Sequence, residues 1–332
     1  MKLSRLSLLF VGLMGIVYFG IVRGSRAHPV DSPAQSAAAS GPTSTYSIQC
    51  GLWRVDSGFV SKIHIKNALI AKPLTVLPVL YMADGTSYEL QPIQVPTAGT
   101  AQVNVNDALD NAPPPIAPHV SEYGSAALFY QYQNSGHLLG FTEIINLQGS
   151  LIFTTPFAGL DQGPPGPQTF EAVWWRHEPQ VGGFVALSNV TSSPIQVSLQ
   201  PTGSLGTQVA TTAITLQGHT TQMLDLNTLA EGLPETENQA GSLRLQYNGV
   251  KRAIMATGGL VDETVGYSNN VEFWPHDLVS TSPPVPITYA SVGLMVGRPQ
   301  AGMGFPAGLR FTPYAVLENT TAQPLTVTPA LN

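Results

Sequence analysis

From about residue 46 onward, apolar and polar side chains alternate in short runs separated by turn-forming residues. Leu74-Thr75-Val76-Leu77, Ile195-Gln196-Val197-Ser198-Leu199 and Leu325-Thr326-Val327-Thr328 share a period of two, the spacing of a strand with one buried face. Phe184, Ala186 and Ser188 alternate with Val185, Leu187 and Asn189, which predicts another such strand. Val79-Leu80-Tyr81 and Tyr88-Glu89-Leu90 flank Ala83-Asp84-Gly85-Thr86, and Asp-Gly between apolar runs predicts a hairpin. Ile214-Thr215-Leu216 and Thr221-Gln222-Met223-Leu224 add strands on either side of Gln217-Gly218-His219. Helical spacing is weak and confined to Thr228–Gly232, where one short turn is expected after Asp225.

These runs recur in a fixed order. Trp53-Arg54 reappears as Trp175-Arg176, and Gly58-Phe59-Val60 as Gly183-Phe184-Val185. Asn67 with Pro73, Asn189 with Pro194 and Asn319 with Pro324 each lead into an alternating segment. Val103-Asn104-Val105-Asn106 matches Leu224-Asp225-Leu226-Asn227, and Gly124-Ser125 matches Gly241-Ser242. The recurrence predicts one unit over 46–158 and a second over 170–275, with a third opening over 290–332 and cut short. Residues 159–169 read as a Pro/Gly linker around Gly163-Pro164-Pro165-Gly166-Pro167, and residues 276–289 as a Pro-rich linker.

Six or seven short strands per unit predict an all-β chain of two-sheet antiparallel sandwiches. The order aromatic-Arg, Gly-Phe strand, Asn-turn-Pro, alternating strand, Asp-Gly hairpin, Asp-Leu-Asn and Gly-Ser strand resembles the immunoglobulin-like sandwich repeats of exported bacterial surface proteins. The resemblance covers roughly 46–332. It implies tandem immunoglobulin-like domains displayed outside the cytoplasm, and it carries over no functional residue.

The N-terminus follows a different pattern. Lys2 and Arg5 precede an uncharged stretch from Leu6 to Val22, followed by Arg23 and Arg26. A basic start, an apolar core and a polar boundary make up an export signal. A hydrophobic helix is therefore expected over residues 6–22, either as part of a signal peptide (1–27, cleaved after Ala27) or retained as a membrane anchor. Residues 28–45, rich in Pro, Ser, Ala, Gly and Thr, read as a flexible linker. The expected location is extracytoplasmic, with membrane contact through the N-terminal segment alone.

Composition narrows the partners. Charged residues are only 10% of the chain and the net charge is −6, so Ser, Thr, Asn and Gln must supply the polar surface. No Lys/Arg cluster is present to neutralise phosphates, which argues against nucleic acid. The single cysteine, Cys50, excludes an intrachain disulfide and a Cys-rich metal site, and it is expected to be buried.

Sequence motifs that carry chemistry are few. Nucleophile elbows, His-Glu-x-x-His and phosphate loops are absent, and Gly293 to Gly297 lacks the Lys-Ser/Thr pair of a phosphate loop. The seven histidines are scattered, and His177-Glu178 would point to opposite faces of a strand. Glu143, Glu171, Asp225, Asp262 and Glu263 are the carboxylates weighed as an acid/base pair, with Asp225 read as a helix cap. Among Trp174, Trp175, Trp274, Tyr130 and Tyr132, Trp175 is assigned to the core through its match with Trp53. Trp174 is then the candidate for exposure and for stacking against a ligand. The expectation is an exported, non-catalytic structural or adhesive protein without cofactor or metal, whose partner is an extracellular protein or polysaccharide. The alternative is a carbohydrate-binding accessory module using exposed aromatics.

Overall fold

A computed structural model describes residues 44–146, 148, 151–161, 163–176, 178, 181–264, 266–276, 316–319 and 324–329. The expected N-terminal hydrophobic helix, residues 277–289 of the second linker and the opening of the third unit lie outside them. Among the described residues no helix is long and apolar enough to cross a membrane.

The first half carries β1 (Ser44–Arg54), β2 (Val60–Asn67), β3 (Leu74–Met82), β4 (Ser87–Glu89), β5 (Ile93–Val95), β6 (Thr100–Asn104), α1 (Val105–Asp110), β7 (Tyr123–Tyr132), β8 (Leu138–Asn146) and β9 (Leu151–Pro156). The second half carries β10 (Gly166–Trp175), β11 (Gly182–Asn189), β12 (Ile195–Gly203), β13 (Thr212–Leu216), β14 (Thr221–Asp225), α2 (Leu226–Leu229), β15 (Ala240–Gly249), β16 (Ile254–Asp262), β17 (Tyr267–Glu272) and β18 (Trp274–Pro275). The strands form four small antiparallel sheets. Their orders are β1-β7-β3-β4 with β5 also on β3, β6-β2-β8-β9, β13-β12-β15-β10-β18 and β14-β11-β16-β17. Strand pairing thus follows one scheme in both halves.

Local chemistry accounts for the elements. In β2, Ser61, Ile63 and Ile65 are buried while Lys62, His64 and Lys66 face outward, the alternation of a strand with one wet face. Asn104 and Asp225 cap the two short helices, Asp225 accepting from the backbone N–H of Asn227 (2.6 Å) and Thr228 (3.1 Å). Asn67 and Asn189 are fully buried and hold equivalent turns. The Asn67 amide donates to the carbonyls of Lys72, Val95 and Pro96, and that of Asn189 to Ser193, Leu216 and Gln217.

The expectation of tandem immunoglobulin-like sandwiches is overturned, although the chain is all-β. An immunoglobulin domain seats its first strand in the sheet of its second, and its last strand beside its sixth. Here β1 pairs with β7, in the sheet of β3, while β8 pairs with β2. Nor are the halves independent, because a third core joins the two that they close on separately. One core lies between the β1 and β2 sheets and another between the β10 and β11 sheets. A third gathers Leu52, Phe59, Ile144, Leu151 and Phe153 of the first half with Phe184 and Ala186 of the second. The four small sheets follow one another like blades in a propeller-like arrangement, welded through the β2 and β11 sheets.

This third core explains β11. Val185 and Leu187 enter one core and Phe184 and Ala186 another, so β11 is buried on both faces and not on one as its alternation suggests. Polar groups complete the weld. Ser188 Oγ donates to the Gly51 carbonyl at 2.6 Å. Ser268 and Asn270 of β17 bond the backbone of Ile152 and Thr154 on β9, which covers two strand edges otherwise left open. Gly166 and Pro167, expected in the linker, begin β10.

Candidate functional site

Two tight turns meet where the halves join. Gly85, in the β3–β4 hairpin, has φ +89°, and a Cβ there would lie 2.8 Å from the Gly218 carbonyl. Only glycine fits both the positive φ and the close approach. The Thr221 N–H donates to the Ala83 carbonyl at 3.1 Å across the same contact. The β13–β14 turn then places His219 at φ 60°, a conformation a non-glycine residue holds only when its surroundings enforce it. Its ring stacks on Tyr81, centroids 4.5 Å apart and planes 9° apart.

The stacked pair walls a cleft of about 380 Å³. Leu77, Val79 and Phe129 form its apolar floor, on the outer face of the β1 sheet, and Thr45, Ser87 and Glu89 its polar rim. Burial lowers the His219 pKa, so the ring is neutral at pH 7. Its Nδ1 is buried and has no hydrogen-bond partner among the described residues. Burial, with the Glu89 charge nearby, raises the Tyr81 pKa, so the hydroxyl stays protonated. Among the described residues the cleft therefore holds one formal charge, the Glu89 carboxylate. The corresponding face of the β10 sheet is different. Gln246 stands where Phe129 does and Ser198 where Leu77 does, giving a shallow groove of about 330 Å³ lined by amide and hydroxyl side chains.

Residues singled out from the sequence fall elsewhere. Trp174 is 1% exposed and its indole packs on Gly241, its cross-strand partner. The expectation that it stacks against a ligand at the surface is corrected, because no ring face reaches solvent. Trp53 occupies the same place against Gly124, so its counterpart is Trp174 and not Trp175. The β-bulge between Cys50 and Trp53 displaces the sequence match by one residue. Trp274 is the exposed tryptophan, at 65%. Tyr130 is buried and Tyr132 packs edge-on against His137, so these aromatics form no common platform.

The carboxylates are also engaged separately. Glu143 faces His64 at 3.2 Å, Glu171 accepts from Arg244 at 2.7 Å, and Asp262 accepts from the Thr264 N–H at 2.9 Å. Among the described residues no three His, Cys, Asp or Glu side chains are grouped to hold a metal ion. Cys50 is fully buried against Thr142, and burial pushes its thiol up to about 11. Sequence reasoning missed the cleft, although a signal was present. Val76 and Leu80 serve the core while Leu77 and Val79 are apolar on the opposite face, an unusual surplus for an outer surface.

No protein-family model matches the chain, and no curated protein matches it. A solved structure from Parabacteroides distasonis, provisionally described as a secreted protein, aligns with 66% of this chain and 79% of its own at 9% identity, with a TM-score of 0.19. A likeness at that level carries nothing over to this chain.

Proposed function

We propose that this is an exported, non-catalytic interaction protein whose paired halves present a rigid surface to an extracellular protein or polysaccharide. The observation that carries the reading is the state of the side chains capable of chemistry. Asp225, Glu171 and Asp262, three of the carboxylates considered for catalysis, serve a cap, an ion pair and a turn, and the thiol is sealed in the core. The cleft, by contrast, keeps its polar rim open. Export is supported by the basic-apolar-polar layout of residues 2–26 and by a surface poor in charge. Mass spectrometry of the N-terminus, combined with protease accessibility on intact cells, tests this. An N-terminus at His28, or a protease-sensitive anchored chain, is expected. An intact chain found only in the cytoplasm sinks the proposal.

A carbohydrate-binding role is the second reading. With Trp174 in the core, its support moves to the amphipathic cleft beside Tyr81 and Phe129.

A further inference from the structure

The geometry points to a neutral saccharide as the ligand of the cleft between the β3–β4 hairpin and the His219 turn, one or two sugar rings lying on Phe129 and Leu77 with their hydroxyls toward Glu89, Ser87 and Tyr81. This deepens the second reading above and rests on it.

Size is the first argument. About 380 Å³ is near the lower end of small-molecule sites, roughly 300–1,000 Å³. It suits one or two rings and not a folded peptide segment. Amphipathicity is the second. A pyranose has an apolar face of C–H groups and a rim of hydroxyls. The cleft matches this with an apolar floor below and oxygen-bearing side chains around it. Glu89 makes no ion pair with any described residue, leaving both carboxylate oxygens able to accept from a vicinal diol. Tyr81 and Ser87 can donate as well as accept.

Charge is the third argument, and it discriminates between ligands. Among the described residues the cleft is lined by no Lys or Arg, its histidine is neutral at pH 7, and its single formal charge is negative. Sugar phosphates and uronic acids would bring like charge against Glu89 with nothing to compensate. Tyr81 is already held by His219 at 4.5 Å and Gly85 is fixed against Gly218, so the walls are ordered before a ligand arrives, which lowers the entropic cost of binding.

Isothermal titration of the purified full chain with cellobiose, maltose, N,N′-diacetylchitobiose and digalacturonate, backed by a glycan array, tests the assignment. Saturable binding of a neutral sugar is expected, weakened about tenfold by Glu89→Gln and by Tyr81→Phe, variants that keep shape and ring. Ser198→Ala with Gln246→Ala, on the β10 sheet, should leave binding unchanged. The assignment is overturned if no neutral sugar binds, if digalacturonate binds more tightly, or if both cleft variants bind as the parent does. Loss of binding in Trp274→Ala alone overturns it too, since the ligand would then sit elsewhere. None of these outcomes depends on where the chain resides in the cell, so export is judged separately.

Discussion

Trp174 lies against Gly241, the residue opposite it on the neighbouring strand, and a Cβ on Gly241 would come within 2.7 Å of the indole Cζ2. The glycine also faces the Thr202 carbonyl, so neither neighbour can move aside cheaply. Gly124 stands in the same relation to Trp53, where an added Cβ would lie 2.6 Å from Cζ2. Gly241→Ala and Gly124→Ala are each expected to destabilise by about 2–3 kcal/mol, the upper range for overpacking a filled core. Urea denaturation measures this. A midpoint equal to the parent's would refute the packing described.

Tryptophan exposure gives an independent check. Trp53 and Trp174 are at most 1% exposed, whereas Trp274 is 65% exposed. Acrylamide quenching should drop markedly in Trp274→Phe and hardly change in Trp174→Phe. The reverse order would return Trp174 to the surface.

The two buried asparagines predict a matched pair of losses. Each amide bonds three backbone carbonyls, one of them in a fully buried bond (Val95 and Leu216). Asn67→Ala and Asn189→Ala should each cost on the order of 3 kcal/mol through stranded carbonyls. Hydrogen exchange should show the loss at residues 68–72 and 190–193 first. A variant with unchanged exchange there would contradict the role assigned to the amide.

The shared core predicts cooperative unfolding. Phe153 sits between Phe59 (6.2 Å) and Phe184 (5.4 Å), one ring bridging both halves. Calorimetry of the parent should show a single transition whose calorimetric and van't Hoff enthalpies agree. Phe153→Ala, costing about 3–5 kcal/mol, should split that transition in two. Two transitions in the parent would mean that the halves are energetically independent.

Cys50 predicts behaviour at high pH. Its thiol is shifted upward from 9.0 to about 11 by burial. The folded state keeps a proton that the unfolded chain releases, so this contribution is complete below pH 9 and is lost as pH rises toward 11. The loss should reach about 2 kcal/mol by pH 10.5, measured as a falling urea midpoint that flattens in Cys50→Ala. At pH 8 iodoacetamide should label the thiol only in urea, because the nucleophile is the thiolate. Rapid labelling of the native protein would contradict the burial.

The all-β character was legible because alternation and turn chemistry agree along the chain, and Asp225 was read correctly as a cap. The topology was not. Nothing in the sequence of β1 states whether it joins β2 or β7, since either choice buries the same alternate residues. The third core was hidden for a related reason. Phe184-Val185-Ala186-Leu187 has apolar residues on both faces, but small Ala186 and polar Ser188 imitate a wet face. Trp174 was misplaced because a bulge in β1 shifts the register by one residue, and adjacent strand residues point opposite ways. The cleft pairs β3 with a turn far along the chain, so only its apolar floor could be read locally.

Where β11 turns Phe184, Ala186 and Ser188 into the seam, β2 turns Lys62, His64 and Lys66 to water. The two halves are therefore not interchangeable. Putting them in the opposite order would drive two ammonium groups into an apolar seam, at a cost of several kcal/mol for each charge, and would leave a phenylalanine bare on the other side. The chain thus has a built-in direction, with a charged face that refuses further stacking on the side nearer the N-terminus.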